Sequence, residues 1–149
     1  KSGIRARSFS YFETEGDTDT KLPLAVMEEE FWTKIRINPE AIPTGNIKVI
    51  PSPTYTRLRH KTFQPEAAEI SLIKGTNENV LKIKYLNIQR TLSIRFDTVT
   101  PYRITGWEEI GQDGVVQSKA SLKACMMSAY WSQHDNASST LRDSLRLKL

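Results

Sequence analysis

A chain of 149 residues, 38% hydrophobic and 26% charged, has the size of one compact domain, 1–149, and is too apolar to be disordered. Its formal charge of +4 is smaller and less concentrated than a dedicated nucleic-acid binder carries. The single cysteine, Cys125, excludes an intramolecular disulfide and a cysteine-rich metal centre, and no apolar run is long enough for a membrane-spanning helix.

Residues 4–11 alternate, with Arg5, Arg7, Phe9 and Tyr11 on one face and Ile4, Ala6, Ser8 and Ser10 on the other, which predicts a strand. An acidic turn follows over 13–19. Pro23 suits the first turn of a helix, where its missing N–H is no loss. Leu24, Met27, Phe31 and Ile35 then recur at helical spacing with Glu28, Glu29 and Glu30 between them. This predicts one amphipathic helix over 22–36, stopped by Asn38-Pro39 because the residue before proline is driven out of the α region.

Beyond residue 40 the pattern changes to short strands divided by turn residues. Strands are predicted over 47–50 and over 54–62, where Tyr55, Arg57, Arg59 and Lys61 alternate with Thr56, Leu58 and His60. Ala68, Ile70 and Leu72 form an inward row, followed by a loop at 75–79. The cleanest alternation is Leu81, Ile83 and Tyr85, a turn at Leu86-Asn87, then Ile88, Arg90, Leu92, Ile94 and Phe96. A turn at 98–101 leads into a strand over 102–110. Asp113-Gly114 then closes a hairpin with 115–127, since such turns need positive φ. In the tail, Leu141, Leu145 and Leu149 predict a short C-terminal helix. Loops too short for crossover helices make the pairing mostly antiparallel. The predicted fold is therefore mainly β, a curved antiparallel sheet or half-barrel with one amphipathic helix, about 22–36, packed against it.

Little in the sequence points to catalysis. His60 and His134 are the only histidines, no G-x-S-x-G turn is present, and Cys125, inside the last predicted strand, reads as a small core side chain. Glu13, Glu15, Asp17 and Asp19 suggest a calcium loop, but Lys21 and Leu22 fall where a ligand and glycine are required. They read instead as a solvated turn ahead of a helix N-terminus. Two histidines and one cysteine do not supply a zinc site, and no phosphate-cradling glycine loop occurs. No catalytic residue, metal or cofactor is expected.

The stretch between Glu40 and Glu66 holds no acid and contains Lys48, Arg57, Arg59 and Lys61. On a strand, Tyr55, Arg57, Arg59 and Lys61 point the same way, either as a solvated charged edge or as an aromatic and basic binding face. Gly106 suggests a bulge beside Trp107. Trp131, with Tyr130 and His134, is read as sealing the end of the sheet. The residues expected to contact a ligand are Tyr55, Arg57, Arg59 and Trp107.

Several segments considered together carry a resemblance. They include Tyr11-Phe12-Glu13-Thr14-Glu15-Gly16-Asp17, Phe31-Trp32-Thr33-Lys34-Ile35-Arg36 and Pro43-Thr44-Gly45. Further along come Arg57-Leu58-Arg59-His60, the run Pro101-Tyr102-Arg103-Ile104-Thr105-Gly106-Trp107-Glu108-Glu109, Ala129-Tyr130-Trp131 and Leu141-Arg142-Asp143-Ser144-Leu145. Their order and spacing resemble the C-terminal half of uncharacterised, exported bacterial envelope proteins, over nearly the whole chain. Some members carry the label of septum-formation inhibitor, which belongs to α/β nucleotide hydrolases, whereas this chain reads as antiparallel β. The resemblance implies a preceding N-terminal half, to which the abrupt start at Lys1 also points. It further implies a periplasmic or lipid-anchored location, and it supplies no catalytic residues.

The resulting expectation is a non-enzymatic binding or structural domain of an envelope protein. It would shelter a hydrophobic or amphipathic small molecule between helix and sheet, with the N-terminal half as a further partner. A carboxylate-based hydrolase of an envelope polymer or lipid is the alternative, and requires two acids facing each other across a cleft. A nucleic-acid-binding module ranks third, and requires Arg57, Arg59, Lys61, Lys82 and Lys84 to form one stripe.

Overall fold

The computed structural model describes every residue except 1, 2, 12, 13, 15, 148 and 149. Glu13 and Glu15 of the acidic turn and Leu149 of the leucine row thus lie outside the described residues. In chain order the elements are β1 (Ile4–Ser8), β2 (Thr18–Leu22), β3 (Val26–Met27), α1 (Glu28–Ile37), β4 (Gly45–Ile50) and α2 (Pro53–Leu58). They continue with β5 (Glu66–Ile73), β6 (Glu78–Tyr85), β7 (Arg90–Asp97), β8 (Ile104–Ile110), β9 (Val116–Ser121) and α3 (Leu141–Ser144). Strand makes up 39% and helix 20%, so the chain is mainly β.

β1 and β2 form a two-stranded sheet of their own, and β3 to β9 form one open sheet in sequence order. Every pairing in the larger sheet is antiparallel except β3 with β4. That pair is parallel because α1 serves as its crossover, the connection that parallel strands require.

The alternation of residues 66–97 becomes three eight-residue strands. Ala68, Ile70, Leu81, Ile83, Tyr85, Leu92, Ile94 and Phe96 are buried on one face, where they join Phe31 and Ile35 of α1 in a single core cluster. A one-residue slip would turn the whole set to solvent, so burial fixes the register.

The amphipathic helix is shorter than its predicted 22–36. Leu22 ends β2 opposite Ile4, Leu24 is 63% exposed, and Val26 and Met27 pair with Val49 and Ile50. The leucine and methionine that fit a helical period belong to a strand and its approach. The helix starts where negative charge meets the positive end of its dipole, at Glu28-Glu29-Glu30. Glu30 accepts a hydrogen bond from the Met27 N–H at 3.0 Å and another from Lys34 Nζ at 2.8 Å. Lys34 first and the Met27 N–H second hold its carboxyl below the usual carboxylate range.

Several other expectations are corrected. Residues 54–62 are not a strand: Pro53 occupies the first turn of α2 and fixes its φ for a helix. The last strand stops at Ser121 rather than 127, so Cys125 is exposed instead of in the core. Tyr130 and Trp131, 75% and 66% exposed, pack edge to face against each other and do not seal the sheet. In the acidic turn, Asp19 is not part of a loop but pairs across the small sheet with Arg5 and Arg7. Among the described residues, no helix is long and apolar enough to cross a membrane.

Candidate functional site

Arg90 is the one charged residue in the inward row of β7. A guanidinium facing a core must be paired, since an isolated buried charge is far too costly. Its partners come from both sides. Nε donates to Glu109 Oε1 of β8 at 2.7 Å, Nη2 donates to Glu28 Oε1 of α1 at 3.0 Å, and Nη1 binds Glu28 Oε2. The Tyr85 hydroxyl donates to the same Glu28 Oε2 at 2.6 Å. The Arg90 and Glu28 side chains are only 5% and 3% exposed, whereas that of Glu109 keeps 17%. Burial disfavours the Arg90 charge, but the hydrogen bonds it donates to Glu28 and Glu109 outweigh it and the net shift is upward. Burial, then repulsion from Glu28, pushes the Tyr85 phenol up.

The Tyr55 ring lies over this guanidinium, 4.2 Å from Cζ to the ring centroid, a cation–π geometry. Burial raises its phenol as well. Tyr55 and Arg59 meet on one side of α2 because they are four residues apart. The helix ends in a Schellman motif, with Lys61 N donating to Thr56 O at 2.8 Å and His60 N to Arg57 O at 3.2 Å. His60 holds the left-handed position at φ 50°, where glycine carries no steric penalty. His60→Gly is therefore expected to raise stability by about 0.5–1 kcal/mol, read as a higher urea midpoint. An unchanged or lower midpoint contradicts this account of the cap.

Two bulges shape the opposite wall. Between β7 and β8 the register passes from Arg95↔Gly106 to Phe96↔Ile104, leaving Thr105 unpaired. The extra residue turns Trp107 and Glu109 to the same face as Ile104, opposite Ile94 and Leu92. Between β8 and β9 the partners pass from Glu109↔Ser118 to Ile110↔Val116, leaving Gln117 as the extra residue. Consecutive Gln117 and Ser118 consequently both line the cleft. Arg59 Nη2 donates to Gln117 Oε1 at 3.0 Å, tying α2 to β9 across it.

The space between α2 and these strands is an open cleft of about 470 Å³, within the range of small-molecule sites. Glu28 and Arg90 lie at its floor, Trp32 of α1, Leu58 of α2 and Trp107 of β8 among its walls. A second compartment of about 750 Å³ shares Tyr55, Arg59, Arg90, Glu109 and Gln117 with the first and extends to Lys61 and Asp113. Together the compartments are lined by three cations, Arg59, Lys61 and Arg90, and three anions, Glu28, Glu109 and Asp113.

Of the four expected contact residues, Tyr55, Arg59 and Trp107 line this cleft and Arg57 does not. The helical turn of α2 carries Arg57 to the exposed side, where a strand would have kept it beside the others. The cleft also differs from the expected place. The space under α1 is filled by Phe31 and Ile35, both fully buried, and the opening lies at the edge of that core. Sequence reasoning missed Glu28, Arg90, Glu109 and Gln117. Only Arg90 left a signal, as an arginine at an inward position of a clean alternation.

Lys82 and Lys84 alternate with buried Leu81, Ile83 and Tyr85 and are exposed on the other face of the sheet. They cannot merge with Arg59 and Lys61 into the stripe that nucleic-acid binding requires. No family model, curated protein or solved structure matches this chain.

Proposed function

We propose that the chain is a non-enzymatic binding domain, and that the cleft between α2 and strands β7 to β9 holds an amphipathic small molecule. One observation carries this reading. Tyr55, Arg59 and Trp107, separated in sequence by up to 52 positions, line one open cleft that also has fixed polar groups at its floor. Trp32, Leu58 and Trp107 offer apolar contact; Glu109, Gln117 and Ser118 offer hydrogen bonds at the rim. Apolar walls with a few placed polar groups are the usual chemistry of ligand sites. The hydrolase alternative is less well supported, because Glu28 and Glu109 are both committed to one guanidinium. The sequence resemblance supports placement in a bacterial envelope, with an N-terminal half as a partner.

Titration with the fluorescent apolar amine N-phenyl-1-naphthylamine tests the cleft. Saturable binding is expected, weakened about tenfold by Trp107→Ala, the scale of one large aromatic contact. Trp131→Ala, which changes an exposed ring outside the cleft, should leave it unchanged. Binding that does not saturate, or that both variants weaken equally, overturns the proposal.

A further inference from the structure

We infer that the ligand is a neutral, polyhydroxylated chain, a linear oligosaccharide running through both compartments; this rests on the cleft reading above and adds the ligand class. Charge is the first argument. The groove as a whole carries three fixed cations and three fixed anions, and its two deepest charges, Glu28 and Arg90, neutralise each other. A polyanion would meet Glu109 and Asp113, and a polycation would meet Arg59 and Lys61. Neither sign gains from entering, whereas a neutral chain pays no such penalty.

The mixture of surfaces is the second argument. A pyranose ring has C–H groups on its faces and hydroxyls around its edge. Rigid aromatic side chains contact such faces with little loss of conformational entropy, and Trp32, Tyr55 and Trp107 occur together in the first compartment. Hydroxyls both donate and accept. They are matched by groups of both kinds near the rings: the partly open Glu109 carboxylate as acceptor, Arg59 as donor, and Gln117 and Ser118 as both. A purely apolar tail would leave these polar groups facing a surface that cannot bond them.

Shape is the third. The two compartments share five residues, among them the hydrogen-bonded pair Arg59 and Gln117. Their extent exceeds one sugar and suits a chain. The bulge at Gln117 sets this bridging side chain toward α2, and bulges of this kind re-aim side chains at functional sites.

The test is a titration of the full chain with three neutral linear hexasaccharides: cellohexaose, N-acetylchitohexaose and maltohexaose. Hexagalacturonate and chitosan hexamer serve as the anionic and cationic comparators, and tryptophan emission is the readout. At least one neutral hexamer should bind saturably, at least about tenfold tighter than either charged one, with a further loss of about tenfold in Trp107→Ala. Binding that weakens strongly from hexamer to disaccharide supports occupation of both compartments. Charged hexamers binding as tightly as neutral ones, or no neutral hexamer binding, overturns the inference. If the naphthylamine still binds in a Trp107-dependent way, only the ligand class has failed. If it too fails to bind, the cleft reading falls with it.

Discussion

Arg90→Met is expected to lower the free energy of unfolding by about 3–5 kcal/mol, the usual cost of removing one partner from a buried ion pair. A domain of this size has about 5–15 kcal/mol in total, so the loss is a large share. Methionine approximates the length of the arginine stem, so the cost comes mainly from charge rather than a cavity. Glu28 is the expensive survivor, because at 3% exposure it keeps, among the described residues, only the Tyr85 hydroxyl as a side-chain partner. Glu109 retains access to water at 17%, so Glu109→Gln should cost less than Glu28→Gln. The double variant Glu28→Gln with Arg90→Met should be less destabilised than the sum of the single changes, by about 1–3 kcal/mol. Urea unfolding of the four proteins measures this. Additivity within about 0.5 kcal/mol would show that Glu28 and Arg90 are not coupled.

The second large effect separates the observed helix from the expected one. Phe31→Ala should cost about 3–5 kcal/mol, because the ring is fully buried and its loss leaves a cavity. α1 has only 10 residues, too few to persist without tertiary contact, so its attachment depends on Phe31 and Ile35. Since α1 also presents Glu28 and Trp32 to the cleft, probe binding should weaken along with stability. Leu24→Ala should change stability by no more than about 0.5 kcal/mol, as expected of an exposed position. A helix over 22–36 would place Leu24 with Phe31 on the core face and make the two changes comparable. Comparable urea midpoints for the two variants would therefore contradict the observed boundary.

The parts of the fold that could be read from the sequence are those where local pattern and burial agree. Leu81-Ile83-Tyr85 and Leu92-Ile94-Phe96 alternate because one face of β6 and β7 is core and the other is solvent, and the hairpin at Asp113-Gly114 is set by a turn that needs positive φ, found at Gly114. Where the period is interrupted, the pattern misleads. Tyr55, Arg57, Arg59 and Lys61 alternate as on a strand, yet Pro53 following Ser52 starts a helix. Tyr55 and Arg59 remain together only because spacings of two and four both fit that pair, and Arg57 is lost. Trp107 reaches the cleft through a bulge at Thr105, which Gly106 hinted at. Gln117 does so through a bulge without any glycine, which no alternation count would find. Glu28 reads as a surface acid in a run of three, and only the partner 62 residues away shows it to be buried.

The most direct test of the cleft as a binding site is native mass spectrometry of the purified chain, before and after gentle unfolding and refolding. The account predicts an added mass on the freshly purified protein that refolding removes and that is absent from Trp107→Ala but present on Trp131→Ala. An added mass retained equally by both variants would place the ligand elsewhere and contradict the account.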